Sequence, residues 1–599
     1  MEVKQKTRDE ISAEFKWHLD NLVASDEVWQ AGIDKIKSQL EKLHRFKGQL
    51  NKADTLLECL QEQASIGEEF TKLYVYANMR LHEDANDTTA QKLSDTVSRV
   101  HVELMTAESF IEPEILEILK TDEKLLYNWL DTNPKLELFR HYLENLLRQK
   151  EHILSAEMEE VLAQVHELGA APDNIFSMLD NADIKFGNVT DEQGNEIELT
   201  HSRYGSMLES ANREIRKNAW NTFYDSYWYL KNTLAASYSA SVKKDVFFAK
   251  VRKYPSAMEA ALFSNNIPAE VYTNLIETVH AYLPQLHRYM KLRKKALNLP
   301  DLRAYDLYTP MVKKVSDKVE YKDAVETVVK SMAPLGEEYA SIAKEGLLKV
   351  GWVDVYENKG KLNGAYSWGA YGGHPYILLN YENKMDDMFT LAHELGHAMH
   401  SYYSWETQPY IYSDYSIFLA EVASTVNEAL LMDHLLKNSN DQVMKVFLIN
   451  TWLEQFRTTM FRQTMFAEFE MIAHRMAEDS QPLTLDALNS VYRSLNEKYY
   501  GNSLLLDDKL DLEWARIPHF YRAFYVYQYA TGYSAAMAFA NRILEGKKTA
   551  DYLEFLKSGS SDYSINILKK AGVDMSKPEP VKEALDKFGA LLEKMEGLV

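Results

Sequence analysis

The stretch Leu391-Ala-His393-Glu394-Leu-Gly-His397-Ala-Met-His400 holds two histidines four positions apart with a glutamate beside the first, an H-E-x-x-H pattern. It contains no proline and no β-branched residue, so a helix is allowed. On a helix both imidazoles share one face and can converge on a single metal ion. Two neutral imidazoles and one carboxylate suit Zn²⁺, one per chain, with its fourth position kept for water. Glu394 is then free to take the proton from that water. Asp386 and Asp387 mark the helix start, where negative charge complements the amino-terminal dipole, and Met388, Phe389, Leu391, Ala392 and Leu395 supply apolar positions.

A third ligand is required, and Glu421 is the best candidate. It lies 24 positions after His397, in Phe418-Leu-Ala-Glu421-Val-Ala-Ser-Thr-Val-Asn-Glu428, a second helical pattern with Phe418, Val422, Val426, Ala429 and Leu430 apolar. An acid inside an apolar stripe is costly unless it is paired or bound to metal. Glu428, seven residues on and so on the same face, can accept a hydrogen bond from a ligand histidine. His400 is the rival ligand, but three ligands from one helix splay badly around a tetrahedral ion.

The pattern resembles the thimet-oligopeptidase-like zinc metallopeptidases, the oligoendopeptidase F group in particular, whose signature is H-E-x-x-H followed by a glutamate ligand at about this distance. The resemblance extends to Leu73-Tyr-Val-Tyr-Ala-Asn-Met-Arg-Leu-His-Glu-Asp, Tyr366-Ser-Trp-Gly, His374-Pro-Tyr-Ile-Leu-Leu-Asn-Tyr381 and Ile517-Pro-His-Phe-Tyr521, nearly the whole chain. It implies a cytosolic zinc endopeptidase that cleaves short peptides and leaves folded proteins alone. It also implies a deep channel between an amino-terminal helical part and the catalytic part.

The resemblance assigns a further role late in the chain. Hydrolysis of a peptide develops an oxyanion, and a tyrosine hydroxyl or histidine N–H is a suitable second donor to it. The family uses a histidine and tyrosines from the region corresponding to Ile517–Tyr533, which carries over onto His519, Tyr525 and Tyr529. A helix from about Phe524 would place Tyr525, Tyr529 and Tyr533 on one face.

Around these residues the chain must build a scaffold, and its 599 residues are ample for a large core. Acidic residues exceed basic ones by 89 − 67 = 22, which argues against nucleic acid or an anionic membrane as partner. A single cysteine, Cys59, excludes an internal disulfide framework and suits a reducing compartment. Neither the amino terminus nor any later stretch reads as a signal peptide or membrane span. A cytoplasmic protein is expected.

The first third reads as helices, with Leu93, Val97, Val100 and Leu104 at three- and four-residue steps. A break comes at Ala171-Pro-Asp-Asn, and Asp191-Glu-Gln-Gly-Asn195 reads as the turn of a hairpin. A boundary near residue 200 separates an amino-terminal helical domain, 1–200, from a catalytic domain, 201–599. Asn363–Gly373 packs four glycines into a short stretch, the mark of a closely approached loop. His374–Asn380 follows as a short apolar strand, and an edge strand just before the zinc helix could hold an extended peptide by main-chain pairing.

The expectation is a mostly α protein, a large helical zincin-type peptidase with a small sheet beside the active site and a deep central channel. His393, His397 and Glu421 hold Zn²⁺, Glu394 acts as general base, and oligopeptides are the substrates. A zinc carboxypeptidase with Arg522 as carboxylate anchor, and a peptide-binding module with a structural zinc, are the alternatives.

Overall fold

The computed structural model describes residues 5–312 and 318–598. Helices dominate, and among the described residues the strands form only two small sheets. No helix among the described residues is long and apolar enough to cross a membrane. The chain forms two compact units, each drawn from three segments: Met1–Glu151, Ser316–His434 and Phe539–Gly572 in the first, His152–Val315, Leu435–Ala538 and Val573–Val599 in the second.

The first unit opens with helices whose apolar residues recur at helical spacing. In Ala53–Glu83 the buried set includes Leu56, Leu60, Phe70 and Leu73, and in Thr88–Glu108 it includes Leu93, Val97, Val100 and Leu104. Burying one such side chain is worth roughly 1.5–3 kcal/mol, so the facing stripes hold the pair antiparallel. Asp87 starts the second of these helices by accepting from the Thr89 and Ala90 amides, which have no partner within the helix. Cys59 is buried in the first, as a small core residue.

The same unit carries a three-stranded sheet. Its strands are β3 (Val353–Asp354), β4 (Tyr366–Gly369) and β5 (Pro375–Leu378), numbered after β1 (Asn188–Thr190) and β2 (Glu196–Glu198) of the second unit. The order is β3-β5-β4, with β5 parallel to β3 and antiparallel to β4. Every residue of β5 is buried, which explains its continuous apolar run. The strand foreseen at His374–Asn380 is therefore the middle strand, and the edge that can accept a peptide is β4, inside the glycine-rich stretch. Gly372, in the β4–β5 turn, has φ 72°, a left-handed conformation that glycine adopts without strain.

Behind the sheet runs the helix Met385–Thr407, called here the histidine helix. Asp387 caps its start, accepting from the Glu382 and Lys384 amides at 2.8 and 2.9 Å. Leu391, Ala392, Leu395, Ala398 and Met399 are fully buried and fix which face remains for the imidazoles. The glutamate helix, Ile417–Asn438, follows after a short connection.

The second unit is built on two long helices, Arg213–Val251 and Ala269–Ala296. Pro172 begins the helix Ala171–Met178, so the break read there separates two helices. Strands β1 (Asn188–Thr190) and β2 (Glu196–Glu198) form the foreseen antiparallel hairpin. A buried carboxylate, Glu513, accepts from Arg462 at 2.7 Å, Arg516 at 3.0 Å and the Tyr492 hydroxyl at 2.6 Å. Donors on both oxygens are what allow this charge to be buried.

Candidate metal centre

The histidine helix turns His393 and His397 to the same side, their ring centroids 4.9 Å apart and the rings nearly perpendicular. The glutamate helix brings Glu421 Oε2 to 3.4 Å from His393 Nε2 and 3.7 Å from His397 Nε2. One donor atom from each of the three lies within 4.8 Å of the others. No other such group of three occurs among the described residues. Two imidazoles and a carboxylate in this arrangement could hold a metal ion.

Two features of the surroundings aim these groups. His393 Nδ1 lies 2.5 Å from Glu428 Oε1, so Nδ1–H donates to the carboxylate and Nε2 is the ring nitrogen turned toward Glu421 and His397. Ser424 Oγ donates to both the Glu421 carbonyl and Oε2, each at 3.1 Å, and steadies that carboxylate.

The two helices can approach this closely because residue 396 is glycine. A Cβ placed there would meet Ser424 Cα at 2.5 Å and the Ala423 carbonyl at 2.6 Å. Gly396 was not singled out from the sequence. The signal was present, since a glycine in a helix interior costs about 1 kcal/mol relative to alanine and calls for a packing reason.

Electrostatics follow from three carboxylates, Glu394, Glu421 and Glu428, gathered on two imidazoles. Burial lowers the His393 pKa, but Glu421 and Glu428 outweigh it and hold the ring protonated up to about 10. His397, desolvated and beside that cation, falls to about 4. Glu421 drops to about 2, chiefly through its contact with His393. The cluster thus calls for positive charge between the imidazoles and Glu421, and a divalent cation fits that demand, with zinc suited by the nitrogen and oxygen donors.

Glu394 is 7% exposed and is not one of the three clustered donors. Burial raises its pKa to about 7, aided by Glu421 and Glu428 and opposed by His393 and by the backbone amide of Ser367 on β4. A carboxyl poised near neutrality can both accept and return a proton.

His400 takes no part in the cluster. It is fully buried, stacks on Tyr415 with centroids 3.6 Å apart, and neither ring nitrogen has a partner among the described residues. Tyr415 in turn donates to the His397 carbonyl at 3.3 Å and meets Ser401 Oγ at 2.9 Å, bracing the ligand helix. Tyr415 and the Ser367 amide were not foreseen, because neither contact has a local pattern in the chain.

His519, Tyr525 and Tyr529 lie in the second unit and come together there. The Tyr529 hydroxyl is 3.3 Å from His519 Nε2, and the three ring centroids are 5.5–6.1 Å apart. The helix expected from about Phe524 begins instead at Tyr527, because Phe524 has φ 55°. Tyr525 therefore sits on a turn, held by the Phe524 amide donating to Glu470 Oε1 at 3.0 Å. Arg522 is exposed.

Comparison with known proteins gives one consistent answer. Residues 206–587 match the model of "Peptidase family M3" and residues 117–186 that of "Oligopeptidase F". Oligopeptidase PepF of Bacillus subtilis (strain 168) is 49% identical over 595 residues, 99% of this chain and 88% of that protein. The chromosomal oligoendopeptidase F of Lactococcus lactis subsp. cremoris is 42% identical over 598 residues, 99% of each. A crystal structure of oligoendopeptidase-F from Enterococcus faecium superposes with TM-score 0.73 at 35% identity, covering 96% of this chain and 99% of that one.

Proposed function

Starting from a chain that belongs to peptidase family M3 and is a metalloendopeptidase of the oligoendopeptidase F type, we propose that it hydrolyses internal bonds of short oligopeptides at a zinc centre. His393, His397 and Glu421 would hold the ion, and Glu394 would act as general base. The observation that carries this reading is the convergence of those three donors within 4.8 Å beside a buried carboxyl raised to about 7.

When bound, the ion supplies Lewis-acid chemistry, polarising the scissile carbonyl and acidifying water. The chain's own residues do the rest. The free edge of β4 holds the substrate extended by main-chain pairing. Glu394 takes the proton from the attacking water at one carboxylate oxygen and delivers it to the leaving amine. Glu428 keeps the His393 tautomer and orientation through the bond to Nδ1. Hydrogen bonding to the developing oxyanion is assigned to His519 with Tyr525 or Tyr529, on family resemblance and on the clustering of the three donors. A single buried cysteine and the acidic balance favour a cytoplasmic setting.

An internally quenched peptide with both ends blocked tests the reading. Cleavage is expected at an internal bond, abolished by a chelator and restored by Zn²⁺. Glu394→Gln should retain zinc and lose activity by about 10²–10⁴-fold. Undiminished cleavage by that variant, or cleavage only from a free carboxyl end, would refute it.

A further inference from the structure

A cavity of about 780 Å³ in the first unit adjoins β4 and is larger than one side chain requires. Its lining includes Ser367–Tyr371 on one side and one face of the helix Ala53–Glu83 on another, with Gln63, Gly67, Thr71 and Tyr74 recurring at three- and four-residue steps. It is also acidic. Glu108, Glu112 and Asp414 line it, no lysine or arginine does, and none of the three forms an ion pair among the described residues.

The sheet determines which part of a peptide enters. Ile377 and Leu379 donate to the β3 side, at Trp352 and Asp354, so Tyr376 and Leu378 face β4. Their partners Trp368 and Tyr366 therefore turn their polar backbone groups inward, while Ser367 and Gly369 turn theirs to the free edge. The Ser367 amide is used at Glu394, which leaves the Ser367 carbonyl and the Gly369 amide for a substrate. Antiparallel pairing is the more stable mode, and a peptide so paired runs from Gly369 toward Tyr366. The residues preceding the scissile bond then pass Gly369 and enter the cavity at Trp368–Tyr371.

The depth can be measured along the helix. Tyr74 marks the near end, its ring 6.2 Å from that of Trp368. Gln63, bonded to Glu108, marks the far end, where Glu112 also accepts from Tyr142 at 3.2 Å. The separation is 74 − 63 = 11 residues, about 16 Å of helix, which an extended chain covers in about five residues.

We infer that this cavity seats the amino-terminal part of the substrate and that Glu108 and Glu112 recognise a cationic group about five residues before the cleaved bond, supplied by the free α-ammonium of a short peptide. The inference rests on the hydrolytic reading above and adds a ruler to it. Aromatic walls accommodate varied side chains, while the carboxylates read one charge at one distance. The polarity agrees with the strand argument, because the same end would repel a terminal carboxylate.

The test is a panel of quenched peptides of one core sequence, with two to eight residues before the scissile bond, each with a free or an acetylated amino terminus. The free amine is expected to be favoured most near five residues, with acetylation lowering kcat/KM about fivefold through KM while kcat holds, as suits a part-exposed ion pair. A lysine placed at that position in an acetylated peptide should recover the rate, which separates charge from chain end. The Glu108→Gln, Glu112→Gln double variant should bring the free peptide down to the acetylated value. Acetylation without effect at every length, or an effect undiminished in the double variant, overturns the inference. The panel on the unaltered enzyme decides it even if the variant folds poorly. Acetylated peptides cleaved in a chelator-sensitive way and as fast as the free ones at every length would leave the hydrolytic reading standing while this one falls.

Discussion

Gly396 and Ser424 lie so close that a single added methyl group at residue 396 would fall 2.5 Å from the Ser424 Cα. This contact lets Glu421 on the glutamate helix reach His393 and His397 on the histidine helix. The proposed metal set depends on a residue outside it.

Gly396→Ala should therefore push the two helices apart, since the atoms it meets are backbone and cannot rotate away. Overpacking of this kind costs about 1–3 kcal/mol. A lower Tm and weaker zinc binding, measured by calorimetry and by competition with a chromophoric chelator, are expected together. Zinc affinity and Tm both equal to those of the parent would show that the helices have slack.

Glu428→Gln should weaken zinc binding by about 10–100-fold, because the acceptor that orients His393 Nδ1–H loses its charge. The imidazole remains, so full stoichiometry should return at high zinc. A variant that binds as tightly as the parent would exclude this orienting role.

His400→Phe separates the two proposed ligand sets. The ring already stacks on Tyr415 with both nitrogens unbonded among the described residues, so an apolar ring should keep one zinc per chain and the peptidase activity. Loss of the metal by this variant, with the fold intact by circular dichroism, would place His400 in the ligand set.

Acid stability should report on Glu513. Burial alone raises its pKa, yet Arg462 and Arg516 prevail and hold it at about 2, below its ordinary 4.5. A depressed carboxyl contributes stability that is complete above its unfolded value and is lost as pH falls through the folded one, so the loss spans about pH 4.5 to 2. Glu513→Gln leaves two part-buried guanidinium groups without their counter-charge and should cost up to about 3–5 kcal/mol near neutrality while flattening that acid limb. Denaturant midpoints across pH 2–7 check both effects, and a limb of unchanged slope would assign it to other groups.

Much was determined by the chain alone wherever a short-range rule applied. The four-residue step of His393 and His397, the apolar stripe carrying Glu421, the Asp387 cap and the hairpin turn at Asp191–Asn195 all depend on neighbours within one or two turns. Such patterns survive in one dimension because the helix and hairpin that express them are local.

Tertiary structure decided what no local period encodes. β5 became the central strand and β4 the edge because β3, from earlier in the chain, pairs along β5. Gly396 matters only once Ser424 lies against it, and the helix after Phe524 starts late, at Tyr527, with the Phe524 amide turned to Glu470 instead. The chain named the groups that could do chemistry. Which backbone amide meets Glu394, and which strand stays open, depended on contacts between segments far apart in sequence, where packing rather than periodicity selects the partner.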